Sequence, residues 1–114
     1  MSALAYAARA HDAPAPDVPS LDVDPYADHV IADPYAEHAR LRDAGPVVWL
    51  ERWNVYACAR YYDVRTVLAD HDNFVSSAGT GLDNFNHVAP MRPKSLLIEA
   101  DPPAHTHARG VVAR

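Results

Sequence analysis

An α+β arrangement, with short helices around a single β-hairpin, is predicted by three observations in the sequence. Asp-Pro pairs recur where helices can begin, at Asp24-Pro25, Asp33-Pro34 and Asp101-Pro102. Two β-favouring runs, residues 47–50 and 55–59, are separated by residues 51–54, which is hairpin spacing. Val64, Val67 and Leu68 then recur at helical offsets and give a short helix over residues 61–70 one apolar face.

The opening residues are rich in alanine and proline. The segment Ala13-Pro14-Ala15-Pro16-Asp17-Val18-Pro19 favours extended backbone, because proline fixes its own φ and biases the residue before it away from helix. Residues 1–23 therefore read as a flexible leader. Asp24-Pro25-Tyr26-Ala27 and Asp33-Pro34-Tyr35-Ala36 look alike, yet their spacing is too short for a repeat unit. They are expected to be two similar local helix starts. The second opens a helix that Gly45-Pro46 should close, with glycine able to turn left-handed and proline unable to continue the helix. The two β runs should pair antiparallel. The aromatic residues of the 61–70 helix are expected to serve packing rather than a cofactor.

Periodicity then breaks down over residues 74–95, through Ser76-Ser77-Ala78-Gly79-Thr80-Gly81 and on to Pro93. Structureless loops of this length are uncommon in compact domains and are usually functional or disordered. Gly79-x-Gly81 lacks the rest of a phosphate-binding fingerprint and its strand-turn-helix setting, so nucleotide binding is not expected.

The most informative stretch runs Asp101-Pro102-Pro103-Ala104-His105-Thr106-His107-Ala108-Arg109. The carboxylate of Asp101 can cap the first turn of a helix, and proline is favoured just inside one, where its missing N–H costs nothing. His105 and Arg109 stand at i and i+4, so they share one side of that helix and can grip two carboxylates. Taken alone, such a pair is more often a solvated helix face.

Preceded by Leu96-Leu97-Ile98-Glu99-Ala100, this stretch resembles the entry to the third major helix of bacterial cytochrome P450 enzymes. The ordered series from about residue 24 to 114 also matches that family: first helix, hairpin, second helix, substrate-facing loop and haem-propionate helix. The resemblance is nearest to soluble members that oxidise para-substituted aromatic acids such as methoxybenzoate. It implies the N-terminal portion of a mainly helical haem monooxygenase fold, incomplete over residues 24–114. His105 and Arg109 would bind the propionates of haem b, and no catalytic residue would lie in this chain.

By the same resemblance, Arg92 and Ser95 would hold the carboxylate of the aromatic acid, and Ile98 would form an apolar wall near its ring. Arginine can donate two charge-assisted hydrogen bonds to a carboxylate, and a serine hydroxyl can add another. Without the resemblance, a loop arginine in water and a serine satisfying local backbone is the simpler reading. Lys94 beside them can supply charge instead, or point to solvent. The implied reaction is hydroxylation or O-demethylation of a benzoate-like acid with O2. Electrons would come from an iron-sulfur ferredoxin and its reductase.

The family's haem ligand is a cysteine thiolate, which favours O–O cleavage. The lone cysteine, Cys58, lies in a β-favouring run among apolar neighbours and reads as a small buried hydrophobe. The oxygen-activating helix and the Glu-x-x-Arg pair of the family have no counterpart here, so the chain reads as a fragment that does not catalyse the reaction by itself. The alternatives are a noncatalytic protein-interaction module and a nonfunctional truncated remnant.

Composition narrows the remaining classes. The chain has 114 residues, 49% hydrophobic, with a formal net charge of -5. That is globular rather than disordered, and the acidic balance disfavours nucleic acid and anionic membranes, which need clustered cations. No stretch approaches the roughly 20 apolar residues of a membrane span, and the N-terminus lacks the basic start of a secretory signal. A single cysteine suits a reducing cytoplasm. The seven histidines are scattered and give no zinc spacing, so no metal ligand is assigned among them.

Overall fold

The computed structural model describes residues 17–113. They fall into two compact units divided between Arg65 and Thr66. The order of elements is β1 (Ser20–Leu21), α1 (Asp28–Ala32), α2 (Tyr35–Ala44), β2 (Val48–Leu50), β3 (Val55–Ala57), α3 (Tyr61–Ala69) and α4 (Ala104–Val112). This is a small mixed helix-and-sheet chain.

In the first unit the hairpin forms as the two β-favouring runs predict. β2 and β3 pair antiparallel in the register Val48 with Ala57, Trp49 with Tyr56 and Leu50 with Val55. Asn54 takes a positive φ of 49° in the turn, a conformation asparagine tolerates better than most residues. Trp49 and Tyr56 then meet edge to face, with ring centroids 4.9 Å apart.

β1 adds a strand that the sequence does not announce. Ser20 and Leu21 run parallel to Trp49 and Leu50, with the Trp49 amide donating to the Pro19 carbonyl at 2.8 Å. Val23 is buried just beyond. The leader boundary expected at residue 23 is thus misplaced: pairing with β2 and burial against the core bring residues 19–23 into the folded unit. Residues 1–16 of that expected leader lie outside the described residues.

Val23, Leu41, Val48 and Leu50 form the core, with Leu21, Ala44, Trp53, Val55, Ala57 and Ala59 packed against it. Asp22 and Asp24 tie β1 and the segment after it to the hairpin turn. The Arg52 guanidinium donates to both Asp22 oxygens, at 3.1 and 3.2 Å, and to Asp24 at 3.2 Å. The Trp53 indole N–H also reaches Asp24, and its ring stacks edge-on against Tyr26.

The two Asp-Pro-Tyr-Ala segments behave alike at their starts. Asp24 accepts a hydrogen bond from the Tyr26 amide, and Asp33 accepts one from the Tyr35 amide. Each carboxylate satisfies an amide two residues on, the Asx-turn chemistry that also precedes helices. At the end of α2, Gly45 is extended, with φ 167°, rather than left-handed. Space explains the glycine better than backbone angle, because a Cβ there would lie 3.2 Å from the Pro19 ring. Arg60 Nε supplies the stop, donating to the Arg42 carbonyl at 2.8 Å.

α3 forms where Val64, Val67 and Leu68 predict, but none of its residues is buried and Leu68 is 81% exposed. Tyr61 and Tyr62 are also exposed and contact each other edge to face. The expected packing role of this face and of these aromatics is therefore not fulfilled within the described residues.

Two substitutions separate the forces in the first unit. Leu50→Ala should lower unfolding stability by about 2–5 kcal/mol, since it opens a cavity in the core. Arg52→Ala removes the solvent-screened ion pairs to Asp22 and Asp24 and should shift the midpoint far less than Leu50→Ala. Denaturant midpoints at equal slope check both.

Candidate functional site

All the candidate residues lie in the second unit, between Arg92 and Arg109. No helix or strand forms between α3 and α4, so the backbone there must find its hydrogen-bond acceptors individually. Two carboxylates, Glu99 and Asp101, meet much of this need.

Glu99 is buried, at 6% exposure. One of its oxygens accepts from the Ser95 amide at 2.8 Å and from Arg92 Nη1 at 2.9 Å, and the other accepts from Arg92 Nη2 at 2.9 Å. Ser95 completes the turn: its hydroxyl oxygen accepts from the Leu97 and Ile98 amides, and its carbonyl accepts from the Glu99 amide. This is the reciprocal logic of a capping box, with the acid one residue later than usual. The Ser95 amide, followed by the Arg92 guanidinium, holds the Glu99 carboxyl below its ordinary range against the opposing effect of burial.

Asp101 does not cap α4. Its carboxylate turns to the Ser76 amide at 2.7 Å and the Ser77 amide at 3.2 Å. The N-cap position of α4 is Pro103, and no side chain caps that helix. The backbone of Asp101 still contributes, since its carbonyl accepts from the His105 amide. Hydrogen bonds from Ser77 and the Ser76 amide hold its carboxyl below the usual value. Local sequence offers Asp101 two sets of amides, and the long-range set wins.

The glycines of the loop make a turn rather than a phosphate cradle. Gly79 has a φ of 115° and donates to the Ser76 carbonyl, and a Cβ there would run into the Asp83 carbonyl oxygen. Lys94 is engaged as well. Its ammonium donates to the Ser77 carbonyl at 2.6 Å and sits over the Phe85 ring.

α4 carries His105 and Arg109 one turn apart on a single face, with Ala108 between them half-buried. Both side chains are without a hydrogen-bond or ion-pair partner among the described residues, and no carboxylate competes for them. An imidazole and a guanidinium on one helix face can each donate a hydrogen bond to a carboxylate. The structure thus brings together two sets: Arg92 and Ser95 around Glu99, and His105 with Arg109 on α4. Ile98, three residues after Ser95, is 59% exposed.

Glu99, which holds both Arg92 and Ser95, is not singled out by the sequence motifs. The serine-to-glutamate spacing from Ser95 to Glu99 was its signal, one position longer than a standard capping box. Cys58 is a free, half-buried thiol just past β3. Among the described residues no group of His, Cys, Asp or Glu is arranged to hold a metal ion, and no helix is long and apolar enough to cross a membrane.

Comparison with known proteins identifies the family of the chain. No family model matches the chain. Cytochrome p450 CYP199A2 of Rhodopseudomonas palustris is 54% identical over 97 residues, covering 85% of this chain and 24% of that protein. A putative cytochrome P450 123 of Mycobacterium tuberculosis is 30% identical over 96 residues, covering 84% of this chain and 24% of its own length. Beta-dihydromenaquinone-9 omega-hydroxylase of the same species is 34% identical over 92 residues, covering 81% of this chain and 17% of that protein. The chain belongs to the bacterial cytochrome P450 family, whose members are haem monooxygenases. It spans about a quarter or less of the length of these relatives.

The two lowered carboxyls fix the sign of a pH effect. Groups whose folded values are depressed add stability above their unfolded range and lose it as pH falls through the folded values. Amide hydrogen-exchange protection at Ser76, Ser77 and Ser95 should therefore be present near neutral pH. It should fall away below the ordinary carboxylate range of about 4, as the acceptors become protonated.

Proposed function

We propose that this chain is the N-terminal portion of a haem-dependent monooxygenase, with His105 and Arg109 as the residues that hold the two propionates of haem b. The observation that carries this reading is the His105 and Arg109 pair on one face of α4, unpartnered among the described residues, in a chain 54% identical to a cytochrome P450. Arg109 also lies in the last turn of the helix, where the backbone dipole favours a positive charge. When bound, the haem would supply reductive activation of O2 and insertion of one oxygen atom into an organic substrate. The residues described here bind and orient; none is assigned a proton or electron transfer. Cys58 is not assigned as the iron ligand.

For the substrate we propose a para-substituted aromatic carboxylic acid, hydroxylated or O-demethylated at the end of the ring remote from its carboxylate. Arg92 and Ser95 would take the carboxylate, and Ile98 would border the ring. Such an anchor acts through orientation, because a small misplacement of the reacting carbon costs orders of magnitude in rate. Electrons would arrive from an iron-sulfur ferredoxin and its reductase in the cytoplasm.

Variants of the full-length protein separate the two sets of residues. Arg109→Ala should weaken haem retention roughly tenfold or more, the value of a hydrogen bond to a charged group, as read from haem transfer to an apo-globin acceptor. Arg92→Gln should lower oxidation of an aromatic acid by a similar factor while haem retention stays near wild type. The reverse pattern would reject Arg92 as the anchor.

A further inference from the structure

We propose that Glu99 is the positioning residue of a preorganised carboxylate-binding pair, holding Arg92 by one edge of its guanidinium so that the other edge, together with the Ser95 hydroxyl, stays open to a substrate acid. This rests on the reading of Arg92 and Ser95 as the substrate anchor and deepens it.

Arg92 Nη1 donates to a Glu99 oxygen and to the Pro93 carbonyl, and Nη2 donates to the other Glu99 oxygen. A guanidinium has one hydrogen on Nε and two on each Nη. The Nε hydrogen and the second Nη2 hydrogen remain, and they lie side by side on a single edge of the planar group. That edge has the fork geometry that binds a carboxylate in bidentate fashion. The Arg92 side chain is 62% exposed while that of Glu99 is only 5% exposed, so the used edge faces inward.

Ser95 shows the same division. Its hydroxyl oxygen accepts from the Leu97 and Ile98 amides, which leaves the hydroxyl hydrogen as its available donor. Glu99 fixes the serine as well, by accepting from its backbone amide. A single buried carboxylate therefore holds both members of the pair, and without it a long arginine on an irregular segment would give up rotamer freedom with each binding event.

Charge is compatible with a second carboxylate. Arg92 and Lys94 carry two positive charges against the one on Glu99, and Lys94 is close enough to act on the Glu99 carboxyl. The two cations offset the Glu99 charge, while the Asp101 carboxylate is taken up by the Ser76 and Ser77 amides. An acid would complete the cluster rather than displace Glu99.

The test uses the full-length haem protein and two ligands of the same shape, 4-methoxybenzoate and its neutral primary amide, with binding read from the haem absorption spectrum. Glu99→Gln should weaken benzoate binding about tenfold, the order of one lost hydrogen bond to a charged group, with the amide unchanged. An equal loss for both ligands would overturn the proposal in favour of general loop support, and tighter benzoate binding would overturn it by making Glu99 a competitor. Arg92→Gln tells the underlying reading apart. If that variant leaves benzoate affinity intact, the anchor itself is wrong; if it lowers affinity while Glu99→Gln does not, only the positioning role fails. Should Glu99→Gln not retain haem, Glu99→Asp answers the same comparison. It keeps the charge but shortens the reach, and it should lose benzoate affinity selectively; unchanged selectivity would overturn the proposal.

Discussion

Backbone amides outside helices and sheets need acceptors, and in the second unit two carboxylates on either side of Ala100 supply them. Glu99 takes the Ser95 amide and the Arg92 guanidinium, and Asp101 takes the Ser76 and Ser77 amides. A buried carboxylate is costly unless its lone pairs are filled, and a buried amide is costly unless it is bonded. Each solves the other's problem here. The result is a long irregular segment pinned immediately before the helix that carries His105 and Arg109.

The first unit is held differently. Its sheet and α2 enclose Val23, Leu41, Val48 and Leu50, so removal of apolar surface from water does most of the stabilising. The Asp22 and Asp24 contacts with Arg52 and Trp53 are exposed or half-buried and add register more than energy. In the second unit the balance shifts towards polar bonding. Met91, Leu96, Ile98, Val111 and Val112 are all exposed in the described residues.

A regular helix fixes the spacing of the side chains it carries, and α4 sets His105 and Arg109 one turn apart. An irregular backbone needs its polar groups fixed one by one. Glu99 gives that fixation to Arg92 and Ser95, and Asp101 ties the earlier turn around Gly79 to the start of the helix.

Much of this was legible in the sequence because its causes are local. Proline and aspartate set the helix starts, alternating β-branched and aromatic residues set the hairpin, and the spacing of His105 and Arg109 fixed their shared face once a helix formed. The resemblance carried by that same stretch gave the family. What tertiary structure alone decided were the choices between equivalent partners. Asp101 had its own helix to cap and bonded to Ser76 and Ser77 instead, because those amides had no other acceptor in a segment without ladders. Ser20 and Leu21 became a strand only because β2 offered an unpaired edge. Arg92 looked like a lone loop cation until Glu99, seven positions on, was brought under it. A carboxylate's partner depends on distance in space, and that distance is set by the folded chain rather than by the order of its residues.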